Sequence, residues 1–376
     1  MPKKRRRSRI VIEEDDSDDD DRASLPAAAG APAAAAATAG LAPRPLSPAA
    51  AAPAAPAPAP PAAPPTAPAP AAPAATPDQA ALDLISGVTA AQRASPQLRE
   101  RLTAIKASFQ QRDFAAVFAD ENLLFYMAAY VPSRALCYLE LLARLAPGTL
   151  GSRLWCLGAG PGSEAVAVGA WQRSHGGGGA LALHSFDVAD WAAGQALLLA
   201  AMRREWRCVS GGGDDEAGGA AAAGAMRMSW SQGDALGMSE AEWARAEAAT
   251  LVTSFFVVDE LVAADASATL RFLRELRRRA ARGANILFVD SAGSFSNVEL
   301  PPGHGLCGKL SAARHAWVYE VLDQMFLREA DGWEAVPLRA VANADSTWFR
   351  FDKKLSYDGR KLNNYRVWVR QYRCVC

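Results

Sequence analysis

No Cys-x-x-Cys pair occurs among the six cysteines, and the four histidines do not fall at metal-ligand spacing. That argues against a structural zinc site and leaves no metal to expect. No apolar run approaches the ~18 residues that a membrane span needs, and no secretory hydrophobic region is present. The expectation is therefore an intracellular chain with reduced thiols and no membrane partner. No glycine run ends in the Gly-Lys-Ser/Thr of a P-loop, which removes a nucleotide-triphosphate cradle. There is no Asn/Asp-Pro-Pro-aromatic signature and no nucleophilic cysteine near it, so two common acceptor chemistries are absent. Net charge is also missing: 40 basic side chains balance 40 acidic ones.

The charge that is present is unevenly placed. Residues 1–21 hold the basic run KKRRRSR and the acidic run EEDDSDDDD. The first is a nuclear-import candidate or a nucleic-acid arm. From Pro48 to Pro77 only Thr66 and Thr76 interrupt Ala and Pro. Frequent proline removes backbone donors and blocks helix, so 1–80 reads as a disordered, semi-stiff arm. From Arg350 onward eight Lys/Arg face two Asp over 27 residues. Two readings stand there: a surface for a polyanion, or an edge strand guarded by charge.

After Pro77 the pattern changes to folded protein. Residues 95–150 carry helical periodicity, with two or three helices broken near Pro132 and Ser133 as an N-cap. Residues 151–376 then alternate strand and helix. Strands are expected at 154–158, 180–188, 226–236, 249–258 and 284–291, and helices at 163–173, 190–206, 259–282 and 309–325. Two late strands, 346–351 and 365–373, are joined by a loop too short for a crossover and should be antiparallel. The fold expected is α/β, a mostly parallel seven-stranded sheet with an antiparallel C-terminal strand and a helical N-terminal extension. The Gly-rich stretch 210–225 reads as a loop insertion.

The first strand runs into GAGPG, residues 158–162. A dinucleotide fold wants G-x-G-x-x-G, whereas here Ser163 follows Gly158, Gly160 and Gly162. Asp187 ends the next strand, where a carboxylate accepts both hydroxyls of a ribose, with Asp190 as a rival that could cap a helix instead. Asp234 follows the third strand and can accept from an adenine amino group. Glycines, ribose acid and adenine acid in this order favour S-adenosylmethionine over NAD. The cofactor candidates are Gly158, Ala159, Gly160, Pro161, Gly162, Glu164, Asp187, Val188, Asp234, Ala235, Ser254 and Phe255. Asp259 and Glu260, after the fourth strand, are the available acid/base groups; as plain helix N-terminal carboxylates they would only oppose the macrodipole. Arg271, Arg274, Arg277, Arg278, Arg279 and Arg282 crowd one helix and read as a solvated face.

Four segments carry a resemblance to a family: IKASFQQRDFAAVFADENLLFYMAAYVPSRALCYLELL, LHSFDVADW with LVTSFFVVDEL, ILFVDSAGSFSNV, and DSTWFRFDKKLSYDGRKLNNYRVWVRQY. The chain resembles the fungal 25S ribosomal-RNA uridine-N3 methyltransferases, S-adenosylmethionine enzymes of the class I fold. The resemblance implies methyl transfer to a uridine ring nitrogen, ribosomal RNA or a pre-ribosomal particle as partner, and the nucleus, with its nucleolus, as location. It implies that Phe256, Asp290, Ser291, Phe295, Trp348 and Arg350 face the acceptor, with Asp345 beside them. Asp259 stands where the family carries Asn, and Val131 where it carries Ser. A methyltransferase acting on protein or a small molecule, and a non-catalytic ribosome-assembly factor with this fold, are the alternatives.

Overall fold

A computed structural model describes residues 76–175, 180–207, 209, 226–293, 296–329, 331–339, 341, 345–357 and 362–376. The basic, acidic and Ala/Pro runs of the arm, the insertion at 210–225 and Phe295 lie outside them. Ten strands are named: β1 Arg153–Leu157, β2 Leu181–Asp187, β3 Met226–Gln232, β4 Leu251–Phe255, β5 Asn285–Ser291, β6 Asn297–Glu299, β7 His315–Trp317, β8 Trp333–Ala335, β9 Thr347–Phe349 and β10 Tyr365–Cys374. Ten helices accompany them: α1 Pro77–Val88, α2 Ala90–Arg93, α3 Leu98–Gln111, α4 Phe114–Val117, α5 Asp120–Arg144, α6 Ser163–Ser174, α7 Ala192–Ala201, α8 Glu240–Glu247, α9 Val258–Arg279 and α10 Val318–Leu327.

The main sheet runs β3-β2-β1-β4-β5-β10-β8, with β9 also on β10. The first five strands in that order are mutually parallel. β10 is antiparallel to β5, β8 and β9, as the short late connection requires. The order reverses between β1 and β4, so the crevice for a ligand opens at the carboxyl ends of those strands. The sheet holds eight strands where seven were expected; the extra one, β8, has three residues and too little periodicity to read.

Strand β5 shows why the sheet is buried on both sides. Leu287 and Val289 join the core under α1, α5 and α6, while Ile286 and Phe288 join the core under α9 and α10. A run that is apolar at every position is what a strand covered on two faces needs.

Helix α1 begins inside the span read as linker. Thr76 caps it by accepting from the Gln79 amide, Pro77 takes the first turn, and Ala81, Leu82, Leu84 and Ile85 are buried.

Helix α5 is not broken at Pro132. It runs unbroken through the proline. Pro132 offers no amide to the Ala128 carbonyl four residues earlier, and the Tyr357 hydroxyl donates to that carbonyl instead, at 3.0 Å. Ser133 caps nothing; its hydroxyl accepts from the Asn363 amide at 3.0 Å. The C-terminal segment thus repairs a defect in an N-terminal helix.

Two further expectations are corrected. The helix after β4 is interrupted at Asp265 (φ −156°, ψ 98°), whose carboxylate re-caps the chain by accepting from Ala268. The first part of 309–325 holds only a short 3-10 turn at Gly308–Leu310; residues 315–317 then form β7, paired with β6, and α10 starts only at Val318. Glu320 accepts from the Trp317 amide there. On α9 Leu270, Leu273 and Leu276 face inward as expected, and four of the arginines are also paired, with Arg278 on Glu275. Arg279 meets Glu240, Glu247 and Glu275, while Arg274 and Arg277 approach Glu329.

A third cluster positions the site. Ile105 of α3, Val117 of α4 and Leu123 and Tyr126 of α5 pack with Ala189 and Trp191, just beyond β2. The N-terminal helices therefore sit against the carboxyl rim of the sheet.

Candidate functional site

The rim has a cofactor half and an acceptor half. In the cofactor half, β1 ends at Leu157 and α6 starts at Ser163, leaving GAGPG between them. Gly158 has φ +63°, and a Cβ there would lie 2.1 Å from Val257 in the loop after β4. Its smallness serves close packing of two strand ends. Gly160 has φ +54°, yet a Cβ there would meet no atom within 4 Å. This glycine faces open space, a cradle that a side chain would fill.

Asp187 ties the loop down. One carboxylate oxygen accepts from Gly160 N at 2.8 Å and the other from Ala189 N at 2.9 Å. Each oxygen retains a lone pair for a further donor such as a hydroxyl. Burial pushes its pKa up and the two amides pull it down. Gln195 donates to the Gly160 carbonyl at 2.9 Å from the other side. Asp190 accepts from Ala192 at the start of α7, so the rival does the capping. Val188 is 59% exposed, an apolar side chain left at the rim. Asp234 is exposed beyond β3 and accepts from Leu236 at 2.8 Å, with Ala235 buried behind it.

Glu164, in the first turn of α6, is 4% exposed, and its Oε1 has no hydrogen-bond partner. Burial raises its pKa to about 8. An orphaned carboxylate oxygen beside an open glycine cradle asks for a cationic donor. These features fit S-adenosylmethionine: Glu164 would meet its ammonium, Gly160 would leave room for the methionine part, Asp187 would accept from the ribose, and Asp234 with Val188 would serve the adenine.

Not every cofactor candidate reaches this edge. Ser254 is fully buried inside β4. The Phe255 ring packs into the core against Tyr138, with centroids 4.2 Å apart. Alternation along the strand sends Phe255 away from the rim.

The acceptor half begins one residue later. Phe256 has φ +60°, a left-handed conformation rare for a bulky residue, and its amide donates to Val289 O at 2.8 Å. Such strain concentrates at functional sites. Its half-buried ring lies 5.2 Å from Tyr365 and 5.0 Å from the Arg134 guanidinium carbon.

Asp259 and Asp290 form a buried pair. Asp290 accepts from the amides of Asp259 (3.1 Å) and Ser291 (2.8 Å). The Ser296 hydroxyl reaches Asp259 and the Ser291 carbonyl, and accepts from the Trp368 indole at 2.9 Å. Burial, then the neighbouring Asp290 charge, push Asp259 well above the aspartate range, so it is neutral and holds the pair together. Asp290 is itself raised by burial. Both act as a clasp between β5 and α9.

Glu260 is as half-buried as Asp259 but has no hydrogen-bond partner among the described residues, and burial raises its pKa to about 8 against the pull of Arg134. A carboxylate with that pKa suits proton abstraction near neutrality.

Arg134, which the sequence reading passed over, is the cation of this half. Its Nη1 donates to the Tyr126 hydroxyl at 2.5 Å, and its guanidinium carbon lies over Tyr126 (5.4 Å) and Tyr130 (5.7 Å) as well as Phe256. Its Nε is buried without a partner. Among the described residues no carboxylate pairs with it directly. The available signal was Tyr126, Tyr130 and Arg134 at i, i+4 and i+8, one stripe of α5.

Trp348 and Arg350 extend the same rim. Trp348 pairs with Arg366 and Thr347 with Val367, and Val367 in turn faces Ser291 at the end of β5. Trp348 is 46% exposed, with Arg350 over its ring at 5.6 Å. Asp345 is paired to Arg370. No cluster of His, Cys, Asp or Glu able to hold a metal occurs among the described residues, and none of their helices is long and apolar enough to cross a membrane.

A family model described as a putative SAM-dependent methyltransferase matches residues 86–373. The 25S rRNA (uridine(2843)-N(3))-methyltransferase of Saccharomyces cerevisiae is 25% identical over 306 residues, which are 73% of this chain and 78% of the yeast protein. Among solved structures, the N-methyltransferase NodS of Bradyrhizobium japonicum with S-adenosyl-L-homocysteine is 14% identical, covering 71% of this chain and 98% of that one at a TM-score of 0.35. The glycopeptide N-methyltransferase MtfA with S-adenosyl-L-methionine is 13% identical, covering 64% and 93% at a TM-score of 0.34.

Proposed function

Since the chain belongs to the family of putative SAM-dependent methyltransferases, we propose that it methylates N3 of a uridine in large-subunit ribosomal RNA. The observation that carries this reading is the pairing of the two half-rims. A glycine cradle with an orphaned acid adjoins a strained aromatic and a carboxylate poised near neutrality. The similarity to the yeast uridine-N3 enzyme points to the acceptor.

N3 lies on the Watson–Crick edge, so the base must be unpaired or extruded to reach an enzyme. Phe256, half-buried at the rim, offers a ring on which a pyrimidine can stack. N3 carries a proton that must leave as the nitrogen attacks. Glu260 takes that proton; Asp259, already neutral and engaged with Ser296 and Asp290, does not. When bound, S-adenosylmethionine supplies an electrophilic methyl on a sulfonium and departs as S-adenosylhomocysteine. Glu164 and Asp187 orient it, and alignment of methyl and nitrogen supplies much of the rate.

The acceptor side would be completed by Trp348 and Arg350, and the excess of positive charge from residue 350 onward favours a polyanion. The basic run at the N-terminus favours work in the nucleus, in the nucleolus on pre-ribosomal particles. The test is nucleoside analysis of large-subunit ribosomal RNA from cells lacking the protein. Loss of 3-methyluridine at one position is expected. An unchanged level overturns the substrate, and failure of the purified chain to bind S-adenosylmethionine in calorimetry overturns the cofactor geometry.

A further inference from the structure

We propose that Arg134, with Tyr130, Phe256 and Tyr365, forms the slot that receives the acceptor uracil, its guanidinium donating to a ring carbonyl oxygen as N3 loses its proton. This rests on the uridine reading above and assigns to it a charge-stabilising residue.

Arg134 is an uncompensated cation among the described residues. A buried charge is costly unless paired and hydrogen-bonded. Arg134 has aromatic faces on three sides and a phenol on Nη1, and Tyr365 lies within hydrogen-bonding reach, yet among the described residues Nε is buried without an acceptor and no carboxylate contacts it. Glu260 and Asp290 act on it only across space. A donor held this way, at a rim where Phe256 is strained, is aimed at something absent from the chain itself.

The chemistry of the guest follows from the donor. Guanidinium is flat, donates only and stacks on rings. Uracil is flat and flanks N3 with two carbonyl oxygens, both acceptors. When N3 gives its proton to Glu260, the negative charge spreads onto those oxygens, where Arg134 meets it. The N3 lone pair then bonds to the methyl carbon, and the carbon–sulfur bond breaks with its electron pair going to sulfur. Cytosine would turn an amino donor toward one of these positions and oppose the arginine, so the same group selects uridine over cytidine.

The test uses the full-length protein and an RNA fragment that the wild type methylates, made with uridine or with 5-fluorouridine, whose N3 proton is more acidic. Arg134→Lys should lower kcat ~100-fold, as removal of one oxyanion donor does, with S-adenosylmethionine affinity unchanged within about twofold by calorimetry. Its rate should keep rising with pH beyond the point where the wild type levels off, because the base must ionise unaided. 5-Fluorouridine RNA should restore the variant ~10-fold and leave the wild type nearly unchanged, which a structural role would not produce. Tyr365→Phe, which keeps the ring and removes the hydroxyl beside Arg134, should lose several-fold in kcat with the same rescue; it decides the matter if Arg134→Lys fails to fold. Equal loss on both RNAs, or loss of S-adenosylmethionine binding, overturns the slot while leaving the function standing. A wild type that forms no 3-methyluridine on any uridine RNA overturns the function first.

Discussion

The two halves of the rim solve the problem of holding a ligand with different materials. The cofactor half is mostly backbone: GAGPG turns, two amides on Asp187, and one carboxylate in the first turn of α6. The glycine turn, Glu164 and Asp187 lie within about thirty residues of one another, around one strand–turn–helix unit, and only Asp234 comes from farther along, beyond β3. The acceptor half is mostly side chain. Arg134 comes from α5, Phe256 and Glu260 from the β4–α9 junction, Asp290 from β5 and Tyr365 from β10. A backbone cradle depends on glycine and tolerates changes in its surroundings. A side-chain slot depends on long-range packing to bring distant groups to one place.

That difference can be attacked from either side. The largest effect is expected from Gly160→Val. The new side chain has room in the fold but fills the cradle, and the left-handed backbone costs about 1–2 kcal/mol. Affinity for S-adenosylmethionine should fall ~1000-fold, about 4 kcal/mol, in calorimetry, with melting shifted only a few degrees. Retained affinity would mean the ligand does not use this loop.

Glu260→Gln comes next and strikes the other half alone. A kcat reduced ~100-fold with unchanged cofactor affinity is expected. In the wild type the deprotonated carboxylate is the active form, so kcat should rise with pH up to about 8 and then level; the variant should lack that limb. A preserved limb assigns the proton to another group.

Tyr357→Phe tests the long-range packing itself. It strands the Ala128 carbonyl and should cost about 1–2 kcal/mol in denaturant unfolding. Adding Pro132→Ala returns an amide to that carbonyl and should recover most of the loss. A double variant no better than the single one would break this account of α5.

The smallest effect belongs to Asp259→Asn. The amide can still accept from Ser296 and donate toward Asp290, so activity should hold within a few-fold. The folded-state pKa of Asp259 is raised, so the aspartate's stabilising contribution is complete below the ordinary aspartate pKa and is lost as pH climbs toward the raised value. The asparagine variant should therefore equal the wild type near pH 4 and exceed it by about 1 kcal/mol above pH 7 in thermal melting.

The sequence exposed the cofactor half well because its signals are local. A strand, three glycines and an acid at the next strand end are read from neighbours, and apolar alternation places β1 to β5. It was less informative wherever one element is completed by another. Pro132 looks like a helix end until Tyr357 is known to sit beneath it. Asp259 and Glu260 look equivalent until Ser296 and Asp290 engage the first and leave the second without a hydrogen-bond partner among the described residues. Arg134 looks like any helical arginine until Phe256 and Tyr365 close around it. Strands β6, β7 and β8, at three residues each, fall below the length at which periodicity can be counted.

The hydroxyl beneath Pro132 also carries a timetable. Ribosomes make α5 first, and Tyr357 emerges 229 residues after the carbonyl it must reach. Asn363, which anchors Ser133, follows 230 residues after its own partner. Until Tyr357 is made, the helix bearing Arg134 has an open ladder at its middle. The glycine turn, by contrast, has its two acids as soon as β2 is made. The nascent chain meets the partners of the glycine turn early, while the place for the acceptor closes only once β10 has been made. A chain ending before β10 would keep the glycine turn and its two acids but lack Tyr365 and the strand that closes the acceptor half.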